Sequence, residues 1–455
     1  MVLVAFALFG MLAMGVFAAG GEVPDFAAPV AIVGAMVLQR WRRPLGVASP
    51  QFASDRWWLL GGVVVVSAAT AIVAWGALAT PSRTWDGAAM WDGKAALLAE
   101  RLTLAQPAFR DPGILLHSRD YPLLQPVLMA ALERWLGVGR ALFPLVYLTH
   151  CALLFVLLRR AGAAIRWAVL ASVAFGVTPM VLSPSGGGAD SGYAEPLLAL
   201  AVTATVGGLV GKDRWLAAVG IALLAWAKPE GGLYGAVAVA LAWLRADRGV
   251  VVATAVGWTS AMALWLVVQR DLQSCGRAAT PWSIPLALAG LGAAVVLSHR
   301  LVPNVRSRVV LAAAVVVVGA LAAPALARLF ELGGGVFSSY LAGSGRLGER
   351  LGEAPTIVVG IANWAWLRGR FGLAFVVVLL VAWRCGSDAA RDPLRWLAVM
   401  LGVVALPFVL APFADLDAHI RASMPRLLCH HVGVAWLAVG LGLAAAVPPR
   451  QTVAA

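Results

Sequence analysis

Charge is scarce in this sequence. Of 455 residues only 13% are Asp, Glu, Lys or Arg, against roughly 25% in a typical soluble domain. The stretches 59–79, 309–327 and 371–383 contain none at all. Runs of this kind recur from end to end, which excludes a soluble domain of any size. Paired cysteines are also lacking. Cys151, Cys275, Cys385 and Cys429 have no spacing that suggests a metal site or a disulfide framework. Cys151 and Cys429 fall in or beside apolar segments, where a thiol acts as a small hydrophobe. Strict apolar/polar alternation is missing as well, which excludes a closed membrane β-barrel. The first apolar stretch, 2–19, has no basic leader and is followed by Glu22 and Asp25. It reads as a first transmembrane helix and not as a cleaved signal.

What remains is apolar: 61% of the chain is hydrophobic. A hydrocarbon core about 30 Å thick requires ~20 apolar residues per helix. Such spans are expected at 2–20, 26–39, 57–79, 141–158, 164–183, 192–210, 214–228, 232–244, 249–268, 283–298, 308–329, 356–384, 395–414 and 428–447. The expected fold is all-α, a polytopic transmembrane bundle of about 12–14 helices forming a single domain over 1–455.

The basic residues orient this bundle, because cytoplasmic loops are rich in Lys and Arg. Arg40, Arg42 and Arg43 place the loop before residue 57 inside, so 80–140 becomes the first outer loop. The apolar stretch 121–136 is then expected to lie along the outer surface instead of crossing. With that choice Arg159, Arg160 and Arg166, Lys212 with Arg214, Arg245 with Arg248, Arg300 with Arg306 and Arg308, and Arg384 with Arg391 and Arg395 all face inward. The inner loops and ends then hold 18 basic against 5 acidic residues, which accounts for the whole net charge of +13. These charges are scattered over short loops with no domain to present them, so no nucleic-acid partner is expected. Some attraction to anionic membrane lipid is.

The polar residues that topology does not need share the outer side. The first outer loop supplies Trp85, Asp86, Trp91, Asp92, Lys94, His117, Arg119, Asp120 and Tyr121. A second supplies Asp190, Tyr193 and Glu195, and a third is Lys228-Pro229-Glu230. The last supplies Asp415, Asp417, His419, Arg421 and Arg426. An ionisable group at membrane depth costs at least ~2.5 kcal/mol, so each asks for a partner or a role. Single members have bland explanations. A loop acid caps a helix, Lys228 and Glu230 form a structural pair, and tryptophans such as Trp57 and Trp58 anchor a helix at the interface. Their meeting on one face favours a functional site.

The order of these motifs resembles a group of bacterial GT-C membrane glycosyltransferases. Thr84-Trp85-Asp86-Gly87 with Met90-Trp91 and Lys94-Ala95 resembles the start of that group's first outer loop. His117-Ser118-Arg119-Asp120-Tyr121-Pro122-Leu123-Leu124 is similar to its "HPDYPLL" element. Gly192-Tyr193-Ala194-Glu195-Pro196-Leu197 is similar to "GYADLPL", and Ala227-Lys228-Pro229-Glu230-Gly231 to "TKNEG". His419 to Leu428 resembles "HLxTSLDRLL". Glu195, Pro229 and Pro425 depart from the Asp, Asn and Asp of the pattern. The resemblance implies a GT-C fold with membrane-surface helices in the first outer loop of a protein in the plasma membrane. It also implies a polyprenyl-phosphate sugar donor and an inverting transfer to a cell-envelope acceptor, whether glycan, lipid or protein. Asp86 stands at the position of the general base, for which partial burial beneath Trp85 and Trp91 is expected.

An inverting transfer needs that base on one side and cations at the leaving phosphate on the other. Arg421, Arg426 and Lys228 are the candidate cations. Trp85, Trp91, Lys94, His117, Tyr121, Glu230 and His419 join them as substrate-binding candidates. Asp120 and Glu195 are candidates for sugar or acceptor hydroxyls, or for a divalent cation such as Mg²⁺ or Mn²⁺. The sequence does not require the metal, since GT-C enzymes include members without one. The Gly-rich stretch 330–354, with Arg346, Glu349 and Arg350, reads as an outer loop. A transporter or flippase for a lipid-linked sugar is the alternative. It calls for ionisable residues in mid-helix and an internal repeat, and neither is evident.

Overall fold

The computed structural model describes residues 1–41, 53–82, 84–111, 114, 116, 118–119, 121–183, 188–245, 247–273, 283–302, 304, 306–308, 347–384, 388–409 and 415–446. Among these residues the architecture is all-helical, with one isolated β-bridge between Glu22 and Thr103. The helices are α1 (Val2–Ala18), α2 (Ala27–Trp41), α3 (Ala53–Ala79), α4 (Gly93–Glu100), α5 (Pro107–Arg110), α6 (Leu124–Leu136), α7 (Leu142–Arg160), α8 (Ile165–Gly176), α9 (Pro179–Leu182) and α10 (Glu195–Val210). They continue as α11 (Arg214–Ala227), α12 (Pro229–Arg245), α13 (Arg248–Gln273), α14 (Ser283–Leu301), α15 (Leu347–Gly352), α16 (Ala354–Ala362), α17 (Ala374–Arg384), α18 (Asp388–Val409), α19 (Leu416–Cys429) and α20 (Val432–Ala446). Short π-helical turns, Gly87–Asp92 and Asn363–Leu367, precede α4 and follow α16.

Among the described residues, four helical stretches are long and apolar enough to cross a membrane: Asp55–Ala79, Gly139–Arg160, Arg248–Arg270 and Ala390–Val409. The pair α19 and α20, bent by 45°, counts as a fifth if it is one span. The other apolar helices have 10–17 residues. Long α3 turns Trp57, Leu60, Val63, Val64, Ile72 and Trp75 outward, all exposed. An outward apolar surface of this extent is normal against lipid and a liability in water. At the centre, α10 is buried at thirteen of its sixteen positions, so it is the helix around which the others pack. Helix α1 is part of the core through Phe9, Ala13, Met14 and Phe17.

Three expected spans are interrupted. The stretch 164–183 breaks between α8 and α9. Thr178 is extended there (ψ 124°), because a residue before proline is driven out of the helical region. The stretch 356–384 breaks between α16 and α17, where Arg368 and Arg370 leave the helix to stack on Trp364. The stretch 428–447 continues backward into α19 and bends at His430–His431. The expected span 308–329 lies outside the described residues except for Arg308, as does the loop 330–354 before residue 347. Arg350, at the end of that stretch, is buried and bonded to Glu353. Cys151 and Cys429 are buried in the core, and Cys275 and Cys385 lie outside the described residues.

Contacts sort the loops into two ends. At one end, Arg101 pairs with Glu22 at 2.9 Å and Arg134 with Asp25 at 2.5 Å. The amide of Val23 donates to the Leu102 carbonyl. Both ends of α6 touch this set, since Gln125 donates to the Gly192 carbonyl and Arg134 to the Ala99 and Glu100 carbonyls. At the other end, Arg160 lies 3.3 Å from Asp213, Arg308 donates to the Trp243 carbonyl, and Lys212 and Arg395 border one cleft. Arg160, Lys212, Arg308 and Arg395 therefore collect at the end opposite the loops that carry Asp86, Glu195 and Lys228.

Candidate functional site

Four separate segments supply one charged cluster. Asp86 stands at the head of the Gly87–Asp92 turn and Glu195 opens α10. Lys228 is the extended residue between α11 and α12, and Arg426 lies in α19. Local sequence fixes each position. Pro229 drives Lys228 into the extended region and starts α12. Glu195 occupies the first turn of its helix, where the exposed amides favour a carboxylate.

The Asp86 loop is held by the loop before α10. Thr84 donates its hydroxyl to the Ser191 carbonyl at 2.8 Å and accepts from the Gly87 amide at 3.1 Å. Gly87 sits so close to Ser82, Thr84 and the Ser191 carbonyl that a Cβ has no room. Gly192 faces it in the left-handed region (φ +82°), also against Ser82. Only glycines let the two loops interlock, and the interlock sets Asp86 near Glu195.

Arg426 links the parts. Its Nη1 donates to Asp86 Oδ2 at 2.9 Å, and its Nε lies 3.8 Å from Glu195 Oε1. The same Glu195 oxygen accepts from Lys228 Nζ at 3.0 Å, and Lys228 Nζ lies 3.3 Å from Glu230 Oε1. The Arg426 guanidinium stacks over the Tyr193 ring at 5.0 Å. Glu195 is 0% exposed, whereas the Asp86 and Arg426 side chains are 25% and 24% exposed. The reachable part of the cluster is thus the Asp86–Arg426 pair. Lys228 is buried, and its ammonium faces two carboxylates, Glu195 and Glu230. Glu195 Oε2 and Glu230 Oε2 are buried without a hydrogen-bond partner among the described residues. Such orphaned acceptors are rare in folded proteins.

The second group is aromatic. Trp91 is 1% exposed, with its ring 6.2 Å from that of Tyr121. Lys94 is fully buried, lies 5.9 Å from both ring centres, and donates to the Ser118 carbonyl. Trp91 is therefore packing for this loop. Trp85 is 65% exposed and does not cover Asp86. The expected burial beneath both tryptophans is replaced by partial shielding through Arg426 and Tyr193. The reason is that the π-helical turn swings Trp91 inward and leaves Trp85 outside.

His117 and Asp120 lie outside the described residues. His419, two turns before Arg426, is half-buried with its ring 5.0 Å from Phe408. Arg421 is exposed and makes no ion pair among the described residues. Those residues bring together no set of three His, Cys, Asp or Glu side chains that could hold a metal. The charge of Glu195 is already met by Lys228 and Arg426, so no step is assigned to a metal ion.

Tyr193 is named in the sequence with its loop but without a role, and its stacking on Arg426 supplies one. Arg140 has no motif to reveal it. It donates to the Thr80 and Asp190 carbonyls and lies 3.9 Å from Asp92. Burial pushes the Asp92 carboxyl above its ordinary range, opposed by the Arg140 charge and a Ser82 hydrogen bond.

Compared with protein-family profiles, with curated proteins and with solved structures, the chain matches none.

Proposed function

We propose that this chain is a polytopic membrane glycosyltransferase of GT-C type. It transfers a sugar from a polyprenyl-phosphate donor to a cell-envelope acceptor, with inversion, on the extracytoplasmic side of the plasma membrane. In this reading the shorter apolar helices join the longer ones to give about 12–14 spans, and α6 is a membrane-surface helix. The observation that carries the reading is the convergence of Asp86, Tyr193, Glu195, Lys228 and Arg426 at the end opposite the basic loops. A transporter reading finds less support, because this cluster lies at helix ends and loops and not in mid-helix.

The chemistry follows from the pairing. The acceptor hydroxyl loses its proton to Asp86 as its oxygen attacks the anomeric carbon, and the bond to the lipid phosphate oxygen breaks. Negative charge then builds on the leaving phosphate, where guanidinium donors are the strongest ligands available. Arg426 is partly exposed and suits this role, with Arg421 a second cation on the same helix. While Arg426 holds Asp86, that carboxylate's Oδ2 is already engaged as an acceptor. A phosphate that draws the guanidinium away frees it. Glu195 and Lys228 act behind them by fixing the position of Arg426.

The test is sugar transfer by purified protein from a panel of radiolabelled polyprenyl-phosphate sugars. Asp86→Asn is expected to keep donor binding and to lose about 100-fold or more in transfer. Undiminished transfer in that variant would remove Asp86 as the base. No transfer with any donor, together with movement of lipid-linked sugar across proteoliposomes, would establish the transporter instead.

A further inference from the structure

The end opposite the candidate site carries a shallow cleft of about 90 Å³ between α10, α12 and α18. Leu209, Leu241 and Trp396 give it an apolar wall, and Lys212, Asp392 and Arg395 stand at it as charged groups. Asp392 accepts from Arg395 at 2.8 Å. Lys212 is exposed and meets no carboxylate among the described residues. The cleft is therefore apolar within and carries a surplus of positive charge.

The backbone at Lys212 adds a second observation. The amides of Lys212 and Asp213 donate back to the Leu209 and Gly208 carbonyls at 3.3 and 2.9 Å. This closes α10 with a Schellman turn, and Lys212 occupies the left-handed position at φ +51°. That position is ordinarily glycine or asparagine, which escape the steric cost a longer side chain meets there. Here it carries a cation held at the border of an apolar cleft.

We propose that this cleft binds one anionic phospholipid. Its phosphate lies against Lys212 and Arg395, and the upper part of an acyl chain lies on Leu209, Val210 and Leu241. A soluble phosphate compound would have no use for the apolar wall, and a zwitterionic lipid would gain little from the surplus cation. The inference rests on the membrane reading above and is independent of sugar transfer.

The experiment is native mass spectrometry of the full chain released from detergent. The probes are phosphatidylglycerol, phosphatidylcholine of the same acyl chains, and inorganic phosphate. The wild type is expected to retain one phosphatidylglycerol where phosphatidylcholine is lost, with retention falling as salt rises. The double variant Lys212→Asn/Arg395→Gln is expected to reduce that occupancy roughly tenfold or more. Asparagine suits the left-handed backbone, so the turn survives. Arg166→Gln, which removes an exposed arginine elsewhere at the same end, is expected to leave occupancy unchanged. Equal retention of both lipids, or undiminished phosphatidylglycerol in the double variant, would overturn the site. Displacement of the lipid by inorganic phosphate alone would overturn the lipid assignment. Protein that remains in solution without detergent would instead overturn the membrane reading itself.

Discussion

Lys228→Met removes the cation that contacts both buried Glu195 and half-buried Glu230, and its cost can be worked from the geometry. Glu195 is fully buried and its Oε1 accepts from Lys228 Nζ at 3.0 Å, while Glu230 lies 3.3 Å from the same amine. Breaking a buried pair by deleting one partner costs about 3–5 kcal/mol, because the remaining charge stays without compensation. Arg426, 3.8 Å away, still offers Glu195 some compensation, so the lower half of that range is expected. Taking about 2 °C per kcal/mol for a large chain, thermal unfolding in detergent should shift down by roughly 6–8 °C. Adding Glu195→Leu to the same chain should recover most of the loss, since removing both charges is often neutral. The assay is the midpoint of heat-induced aggregation followed by size exclusion for the wild type, both single variants and the double variant. If the double variant is as unstable as the two single losses added together, Lys228 and Glu195 do not stabilise each other. The account of Lys228 as a structural partner would then be wrong.

Other outcomes follow from neighbouring groups. Gly192→Ala should lower stability by at least about 1–2 kcal/mol from the left-handed backbone alone, and the clash with Ser82 should pull the Asp86 loop out of place; thermal midpoint and transfer are the readouts. Burial holds the Asp92 carboxyl above its ordinary 3.8. Its contribution to stability is therefore complete below that value and is lost as pH rises through the raised one. Asp92→Asn should flatten the pH dependence of the midpoint from about 4 upward, and an unchanged profile would refute the assignment. Trp91→Ala should destabilise by about 3–5 kcal/mol as a buried aromatic. Trp85→Ala, at an exposed position, should leave the midpoint unchanged, and a rise in KM would mark Trp85 as a substrate contact.

The sequence alone determined the helical class. Uninterrupted apolar runs leave no way to satisfy the backbone except within each segment, and α3, α7, α13 and α18 follow those runs closely. The grouping of Arg160, Lys212, Arg308 and Arg395 away from Asp86, Glu195 and Lys228 was also legible, because short loops between successive spans must alternate in side. The candidate site was legible as a list of residues and not as an arrangement. Asp86 and Arg426 are 340 positions apart, and nothing local to either tells that they pair. Only the tertiary structure decided that Lys228 is held between two carboxylates, that Trp91 is buried while Trp85 is exposed, and that Arg140 lies beside Asp92. It also broke 164–183 and 356–384 into shorter helices, since hydropathy reads composition and is blind to where the backbone turns. Apolarity is a property of each segment by itself, and helix identity therefore follows from sequence. Ion pairing and burial belong to residues from distant segments, and these exist only once the chain has packed.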